Sequence, residues 1–448
     1  MKSFFLHKHR RKVIAVIISS VIITFICRHV YLSNAAAASN ALQDLDLMSK
    51  FCNQRENWKP YQPLQLDSRK QPQWVPSNAA VDSIYMTERD HASHLYRDSV
   101  QPDLFMDDDV WDGLPVKGAF YMIVKNEELQ SARSAIRSIE DRFNAHNNVS
   151  YPWVLLNSQQ YTHDFKKYIR KVASGKVYFG QIDLKAFTYP EWIDVKRTEN
   201  AIRRMISLRV QKSHSLYERQ EMRYKAGLFQ HHSLFNTVDY AWRVEPGSEY
   251  TCDMFQGDDP FQTMKANNKK MGFTITSKED SATSFSLWPA TLQFIRMNPQ
   301  LITQADSSIM PWLLTKEREY NFCYMWSDFE IVDLAFLRSQ EYTSFFHYLD
   351  LVGGFFYERW GDGPVRSIAA AMFLRKEDVH FFNEVGYSRS SIQHCPLSKS
   401  LLETCSCDYM DNYNFNSNSC TMNLLKIVSP QSINDIYEFA KSIIGERL

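Results

Sequence analysis

The chain lacks the short glycine-rich signatures of the common nucleotide and ester chemistries. No GxGxxG, GxxxxGK[ST] or GxSxG occurs, so the dinucleotide, P-loop and serine-hydrolase readings have no sequence support. There is no CxxC and no Cys/His pattern at zinc spacing. An excess of either charge is also missing: Lys+Arg and Asp+Glu number 51 each. A nucleic-acid partner is therefore not expected, because a basic face would normally unbalance that count. Glycine is scarce, with 14 among 448 residues. That scarcity draws attention to Gly353-Gly-Phe-Phe-Tyr-Glu-Arg-Trp-Gly-Asp-Gly-Pro364, which mixes glycines, aromatics and charges.

What is present begins with an address. Lys2, Lys8, Arg10, Arg11 and Lys12 precede an uncharged run over 13–27, and no acid stands among them. The run is shorter than the roughly 20 residues of a spanning helix. Val30, Tyr31 and Leu32 extend it if Arg28 and His29 snorkel. We read 1–12 as a cytosolic tail, 13–32 as a signal-anchor transmembrane helix and the remainder as luminal or extracellular. The competing reading is a signal peptide cleaved near the alanines at 35–38. Both place the chain in the secretory pathway. Beyond Cys27, an odd set of cysteines (Cys52, Cys252, Cys323, Cys395, Cys405, Cys407 and Cys420) predicts structural bridges toward the C-terminus with one residue left over. Asn148-Val-Ser150 is a glycosylation sequon.

Residues 33–112 read as a stem and approach segment, with low-complexity alanines and then repeated prolines. Residues 113–448 read as the catalytic domain. Strands are expected at 119–124, 153–156 and 176–179, with helices at 126–143 and 165–172 between them. This β-α-β-α-β order predicts an α/β fold with a central, largely parallel sheet flanked by helices. Further on, helices are expected at 202–217, 222–235, 282–294 and 433–444, and strands at 239–244, 270–276 and 379–382. A helix following Pro364 carries Val365, Ile368, Ala369, Met372 and Phe373 on one face.

Four residues carry candidate chemistry. Glu245 ends an apolar strand that Pro246 and Gly247 stop. It stands where a divalent cation and a diphosphate bind in open α/β sheets, or it is a strand-end acid paired with Arg243 or a lysine. His380 lies in an aromatic stretch. It is either a core histidine or a neutral imidazole ligand for Mn²⁺ beside oxygen donors. Glu330 sits between Phe329 and Ile331, and an acid there needs an arginine partner or a function, such as attack on a sugar or stabilisation of a cationic one. Asp362 is either the cap of the following helix or an acceptor for a sugar or a water. The block 353–364 is either a loop between helices or the wall of a ligand pocket.

Several long motifs resemble one family in colinear order over about residues 115–410. They are Ser138-Ile-Glu-Asp-Arg-Phe-Asn144, Phe187-Thr-Tyr-Pro-Glu-Trp-Ile-Asp194, Tyr240-Ala-Trp-Arg-Val-Glu-Pro-Gly247, Trp326-Ser-Asp-Phe-Glu-Ile331, the block 353–362 and His380-Phe-Phe with Gly386-Tyr387. Together they are similar to the fungal Golgi α-1,2-mannosyltransferases of glycosyltransferase family fifteen, type II membrane proteins. The resemblance implies a GT-A-like nucleotide-diphospho-sugar transferase fold, GDP-mannose as donor, a mannosylated glycoprotein glycan as acceptor, Mn²⁺ as cofactor and retention of the α configuration. It implies Glu245 and His380 as metal- and donor-linked residues, Glu330 as nucleophile and Asp362 as a further acid needed for activity. The sequence departs from the family pattern at Gly247, where an acid is usual, and at Glu218, where a tyrosine of the acceptor side is usual. Tyr217 and Tyr224 are the nearby alternatives to that tyrosine. The reading carried forward is a retaining mannosyltransferase that elongates N- or O-linked mannan in the Golgi lumen. Its rivals are a catalytically silent lectin-like relative with the same fold and a glycoside hydrolase.

Overall fold

A computed structural model describes residues 104–184, 186–254 and 259–445, together with a short antiparallel pair, Leu64–Gln65 with Gln73–Trp74. The chain divides into two compact units, Met1–Ile84, which holds that pair, and Tyr85–Leu448. The expected tail and anchor over 1–32 lie outside the described residues, as do Cys27 and Cys52. Among the described residues no helix is long and apolar enough to cross a membrane. Packed structure starts ahead of residue 113. Met106 and Trp111 are buried in the core, and the Trp111 indole donates to Gly118 O at 2.9 Å. The last part of the expected stem therefore belongs to the folded unit.

In chain order the strands of this unit are β1 (Gly118–Ile123), β2 (Trp153–Asn157), β3 (Val177–Gln181), β4 (Tyr240–Val244), β5 (Glu249–Tyr250), β6 (Met271–Phe273), β7 (Thr276–Lys278), β8 (Cys323–Met325), β9 (Phe329–Asp333), β10 (Val379–Phe381), β11 (Tyr387–Arg389) and β12 (Ile392–His394). Seven of them form the central sheet in the order β10-β6-β9-β4-β1-β2-β3. Every neighbouring pair is parallel except those of β9, which runs against both β4 and β6. The sheet is thus mixed and largely parallel, as expected. Its strands read as near-continuous apolar runs because both faces are covered. Ala119, Tyr121, Val154, Leu156 and Ala241 enter one core, while Phe120, Met122, Trp153, Leu155 and Trp242 enter the other.

The helices that matter here are α1 (Leu129–Ile139), α2 (His163–Arg170), α3 (Val195–Ser207), α4 (Leu216–Gly227), α5 (Leu287–Met297), α6 (Gln340–Val352), α7 (Asp362–Phe373) and α8 (Ile433–Ile444). Buried Ala132, Ala135, Ile136 and Ile139 on α1 follow the helical spacing read from the sequence. One helix expectation and one strand expectation moved. The basic segment at 202–217 divides: α3 is capped by Asp194, the chain turns through Arg209 and Lys212 at φ 57° and 54°, and α4 restarts at the Ser215 cap. The expected strand at 270–276 also divides, because β7 leaves the central sheet to pair with β8.

The block 353–364 is mostly core. Gly353, at φ 80°, ends α6 in the left-handed conformation glycine favours. A Cβ on Gly354 would stand 2.1 Å from the Trp360 ring. Phe355, Phe356 and Trp360 are buried in the main core, so the expected aromatic pocket wall is packing. Three disulfides, Cys252–Cys405, Cys323–Cys420 and Cys395–Cys407, fasten the C-terminal segment, in line with the bridges expected there.

Candidate active site

Because β9 is reversed, its first residues lie beside the last residues of β4. Glu330 pairs in register with Arg243, and Arg243 with Tyr121 on β1. Residues side by side in a sheet share a face. Tyr121, Arg243 and Glu330 therefore form a row at the carboxyl edge of the parallel strands, where open α/β sheets bind ligands. Helix α7 crosses this face and presents Asp362 in its first turn and Arg366 one turn later. The helix cap is Gly361, and the Asp362 carboxylate makes no capping bond. The cap reading of Asp362 is corrected accordingly: its side chain turns to Arg243.

Arg243 is the hub. Its Nη1 is 2.5 Å from Asp362 Oδ2, its Nε 2.6 Å from Glu245 Oε1 and its Nη2 3.7 Å from Asp328 Oδ1. Lys225 on α4 joins Glu245 Oε1 at 2.7 Å and Glu221 Oε1 at 2.6 Å. Glu330 meets Arg366 Nε at 2.9 Å through Oε2 and accepts from the Tyr121 hydroxyl at 3.4 Å through Oε1. The Arg366 contact is an ion pair without hydrogen-bond alignment. Arg389 on β11 pairs with Asp328 and lies 3.8 Å from Glu245 Oε2.

These neighbours push the carboxylates apart in acidity. Burial raises Glu245, but Arg243, Lys225 and Arg389 outweigh it and hold the group well below the ordinary carboxylate range. Burial likewise raises Asp362, and Arg243, Arg366 and Lys225 bring it below its ordinary value. At Glu330 the balance reverses. Burial raises it more than Arg366 and Arg243 lower it, so it is the most easily protonated of the three.

The structure brings Glu245, Glu330 and Asp362 into one network and leaves His380 out. His380 pairs with Gly272, Gly272 with Ile331, and Ile331 with Trp242. The histidine therefore points to the aromatic face, opposite Glu330, and three strands from β4. It packs edge-on against Phe382 at 4.5 Å, and its buried Nε2 has no hydrogen-bond partner among the described residues. Burial, with Lys269 nearby, lowers its pKa to about 4, so it is neutral at physiological pH. The expected pairing of Glu245 and His380 around one ion is not met in this geometry, because the β-sheet register separates them. Among the described residues the only trio of His, Cys, Asp or Glu with gathered ligand atoms is Cys252, Cys405 and Cys407, all of them in disulfides. A divalent cation with phosphate and water oxygens needs only one or two protein carboxylates. Glu245 Oε2, the oxygen left by Lys225 and Arg243, fits that role.

Sequence reasoning missed the cations Lys225, Arg366 and Arg389, as well as Tyr121. One signal was available: Arg366 follows Asp362 by four residues, and Lys225 follows Glu221 by four, the spacing of one helix face. Of the sites departing from the family pattern, Glu218 pairs with Lys212 at 2.8 Å. Tyr224 is buried in the core, whereas half-buried Tyr217 holds Lys125 Nζ 3.6 Å from its ring centroid. Gly247 has φ 78° and open space where a side chain would stand. Asn148 lies exposed in a turn at φ 55°.

Residues 79–429 match the family model described as glycolipid 2-alpha-mannosyltransferase. The chain is 40% identical over 308 residues to glycolipid 2-alpha-mannosyltransferase 2 of Candida albicans, a match covering 68% of this chain and 66% of that protein. It is 38% identical over 314 residues to alpha-1,2 mannosyltransferase KTR1 of Saccharomyces cerevisiae, covering 69% and 78%. Among solved structures it is similar to core-mannan synthase A (CmsA/Ktr4) of Aspergillus fumigatus in a Mn/GDP form, with TM-score 0.66, 32% identity and coverage of 70% and 86%. It is also similar to the mannosyltransferase Ktr4p of S. cerevisiae in complex with GDP, with TM-score 0.66, 27% identity and coverage of 82% and 96%. With its mixed, largely parallel sheet between helices, the chain has the GT-A-like fold expected, and it belongs to the glycolipid 2-alpha-mannosyltransferase family, glycosyltransferase family fifteen.

Proposed function

We propose that this glycosyltransferase moves mannose from GDP-mannose to a mannose hydroxyl of a glycoprotein glycan, with retention and in α-1,2 linkage. The observation that carries this reading is the single buried network of Glu245, Glu330 and Asp362 around Arg243 at the carboxyl edge of the sheet. The GDP in the two related structures supports the donor, and the names of the curated relatives support mannose. Mn²⁺, which accompanies GDP in one of those structures, would be held by Glu245 and would neutralise charge on the departing diphosphate.

The chain's own residues divide the work. Arg243 fixes Glu245 and Asp362 with one guanidinium, so the donor-side and sugar-side carboxylates keep a set spacing. Tyr121 and Arg366 hold Glu330 from two sides. Glu330 supplies the negative charge facing the anomeric carbon as it becomes cationic. Asp362 accepts a hydrogen bond from the sugar. The expected setting is the Golgi lumen, reached through the N-terminal segment, with Asn148 available for glycosylation. The test is incubation of the purified protein with GDP-mannose and a panel of α-mannosides, followed by NMR of the product. An α-1,2-linked mannoside with stoichiometric GDP supports the reading. Release of mannose from a mannoside without nucleotide, or an inverted product, overturns it.

A further inference from the structure

Arg389 faces the one oxygen of Glu245 that Lys225 and Arg243 leave open. Glu245 Oε1 is already taken by Lys225 at 2.7 Å and Arg243 at 2.6 Å, and Oε2 faces Arg389 Nη2 at 3.8 Å. The three cations are not held alike. The side chains of Lys225 and Arg243 are 2% exposed, whereas that of Arg389 is 29% exposed and its partner Asp328 17%. Arg389 is therefore the cation at the mouth of the network, with the others behind it. Its backbone is fixed in a small sheet, where β11 pairs with both β5 and β12, and its Nε donates to Pro246 O at 3.3 Å. That bond joins it to the residue directly after Glu245. Nε is thus anchored on backbone, while Nη1 and Nη2, which face Asp328 and Glu245, are donors matched to a pair of phosphate oxygens.

From this geometry we infer that Arg389 is a resident cation of the donor site, binding the donor's diphosphate directly and competing with a divalent ion for Glu245. The inference rests on the donor-site reading of Glu245. In the donor-free protein Arg389 occupies the Asp328–Glu245 side, and Mn²⁺ binds weakly. When a diphosphate enters, Nη1 and Nη2 turn to it from Asp328 and Glu245, and Glu245 Oε2 is released. Nucleotide binding thus depends only in part on metal. No bond is made or broken in this exchange; one ion pair replaces another.

Titration calorimetry with GDP, in EDTA and in Mn²⁺, tests this on the full chain. Mn²⁺ binding to the nucleotide-free protein, followed by electron paramagnetic resonance, is the second readout. The wild type is expected to bind GDP in EDTA. Arg389→Gln should lose about tenfold or more of that affinity and lose less when Mn²⁺ is present, because a charge-assisted hydrogen-bonded pair is removed. Arg389→Lys should recover part of the loss by restoring the point charge. Mn²⁺ should bind the nucleotide-free Arg389→Gln protein more tightly than the wild type. Arg375→Gln, at an exposed arginine that pairs with Asp378 and has no contact with the network, should change neither quantity. The inference is overturned if wild-type protein binds GDP only with Mn²⁺, or if Arg389→Gln matches the wild type in both readouts. If GDP binds under neither condition, the donor-site reading itself fails. Unchanged thermal melting of each variant separates these outcomes from misfolding.

Discussion

The two faces of the central sheet are built from alternate residues of the same strands, both enter apolar cores, and they differ at the carboxyl edge. On one face, Phe120, Trp153, Trp242 and Phe329 meet ring to ring, with centroids 4.6 to 5.6 Å apart from pair to pair. On the other, one residue along, Tyr121, Arg243 and Glu330 meet through charge and hydrogen bonds. Both faces are buried. Ring packing gives stability directly. A buried ion pair gives little net stability, because desolvation offsets the attraction. A fold seeking stability alone would carry apolar residues on both faces. The charged face is thus the part of the sheet explained by chemistry, and the aromatic face is the platform that holds it in place. His380, edge-on to Phe382, lies on the platform side.

The contrast breaks most sharply if one ion of the charged face is removed alone. Arg366→Met should cost about 3–5 kcal/mol, because it strands Glu330 in the interior. The double variant Glu330→Leu/Arg366→Met should recover most of that loss while transferring no mannose. Chemical denaturation of the two proteins measures this. A double variant as unstable as the single one would mean that the network is itself the source of stability.

Acidification gives a smaller, graded effect. Glu330 is raised by burial, while Glu245 and Asp362 are held below their ordinary values. As pH falls, Glu330 protonates first, so kcat should drop about tenfold per pH unit along an acid limb lying above the ordinary glutamate value of about 4.3. The stability linkage of Glu330 has the opposite sign. Its raised folded pKa favours the protonated form, so its contribution is present at low pH and lost as pH rises through the folded value. Glu245 and Asp362 contribute stability above their unfolded values, lost only as pH falls through their lower folded ones. A pH–rate profile whose acid limb lies at or below the ordinary glutamate value would remove Glu330 from the ionisation that limits the reaction.

The smallest effect is expected at His380. His380→Leu should change stability by less than about 1.5 kcal/mol, as a side chain of similar volume in an apolar site. It should leave GDP and Mn²⁺ affinity unchanged. A tenfold loss of either affinity would return this histidine to the donor site.

Much of the fold was legible. The apolar runs of β1, β2 and β4 and the periodicity of α1, α7 and α8 fall close to their expected positions, because burial on both faces or along one stripe leaves a direct trace in the residues. The reversal of β9 left none, since strand direction depends on a partner distant in sequence. That reversal carries Glu330 to the ligand edge, while the strand order leaves His380 three strands from β4. Glu245, Glu330 and Asp362 were legible as acids in apolar surroundings. Their cations were less so: Lys225 and Arg366 show only the four-residue spacing from Glu221 and Asp362, and Arg389 looks like an ordinary surface charge until the chain folds.

The central claim, that the charged face transfers mannose, is tested most directly by GDP release from GDP-mannose in the presence of a mannoside, compared between wild type and Glu330→Gln. The account predicts steady turnover by the wild type and a fall of about a thousandfold in the variant, with GDP affinity nearly unchanged. Equal rates in the two proteins, or no turnover by the wild type across a range of mannosides, would contradict it.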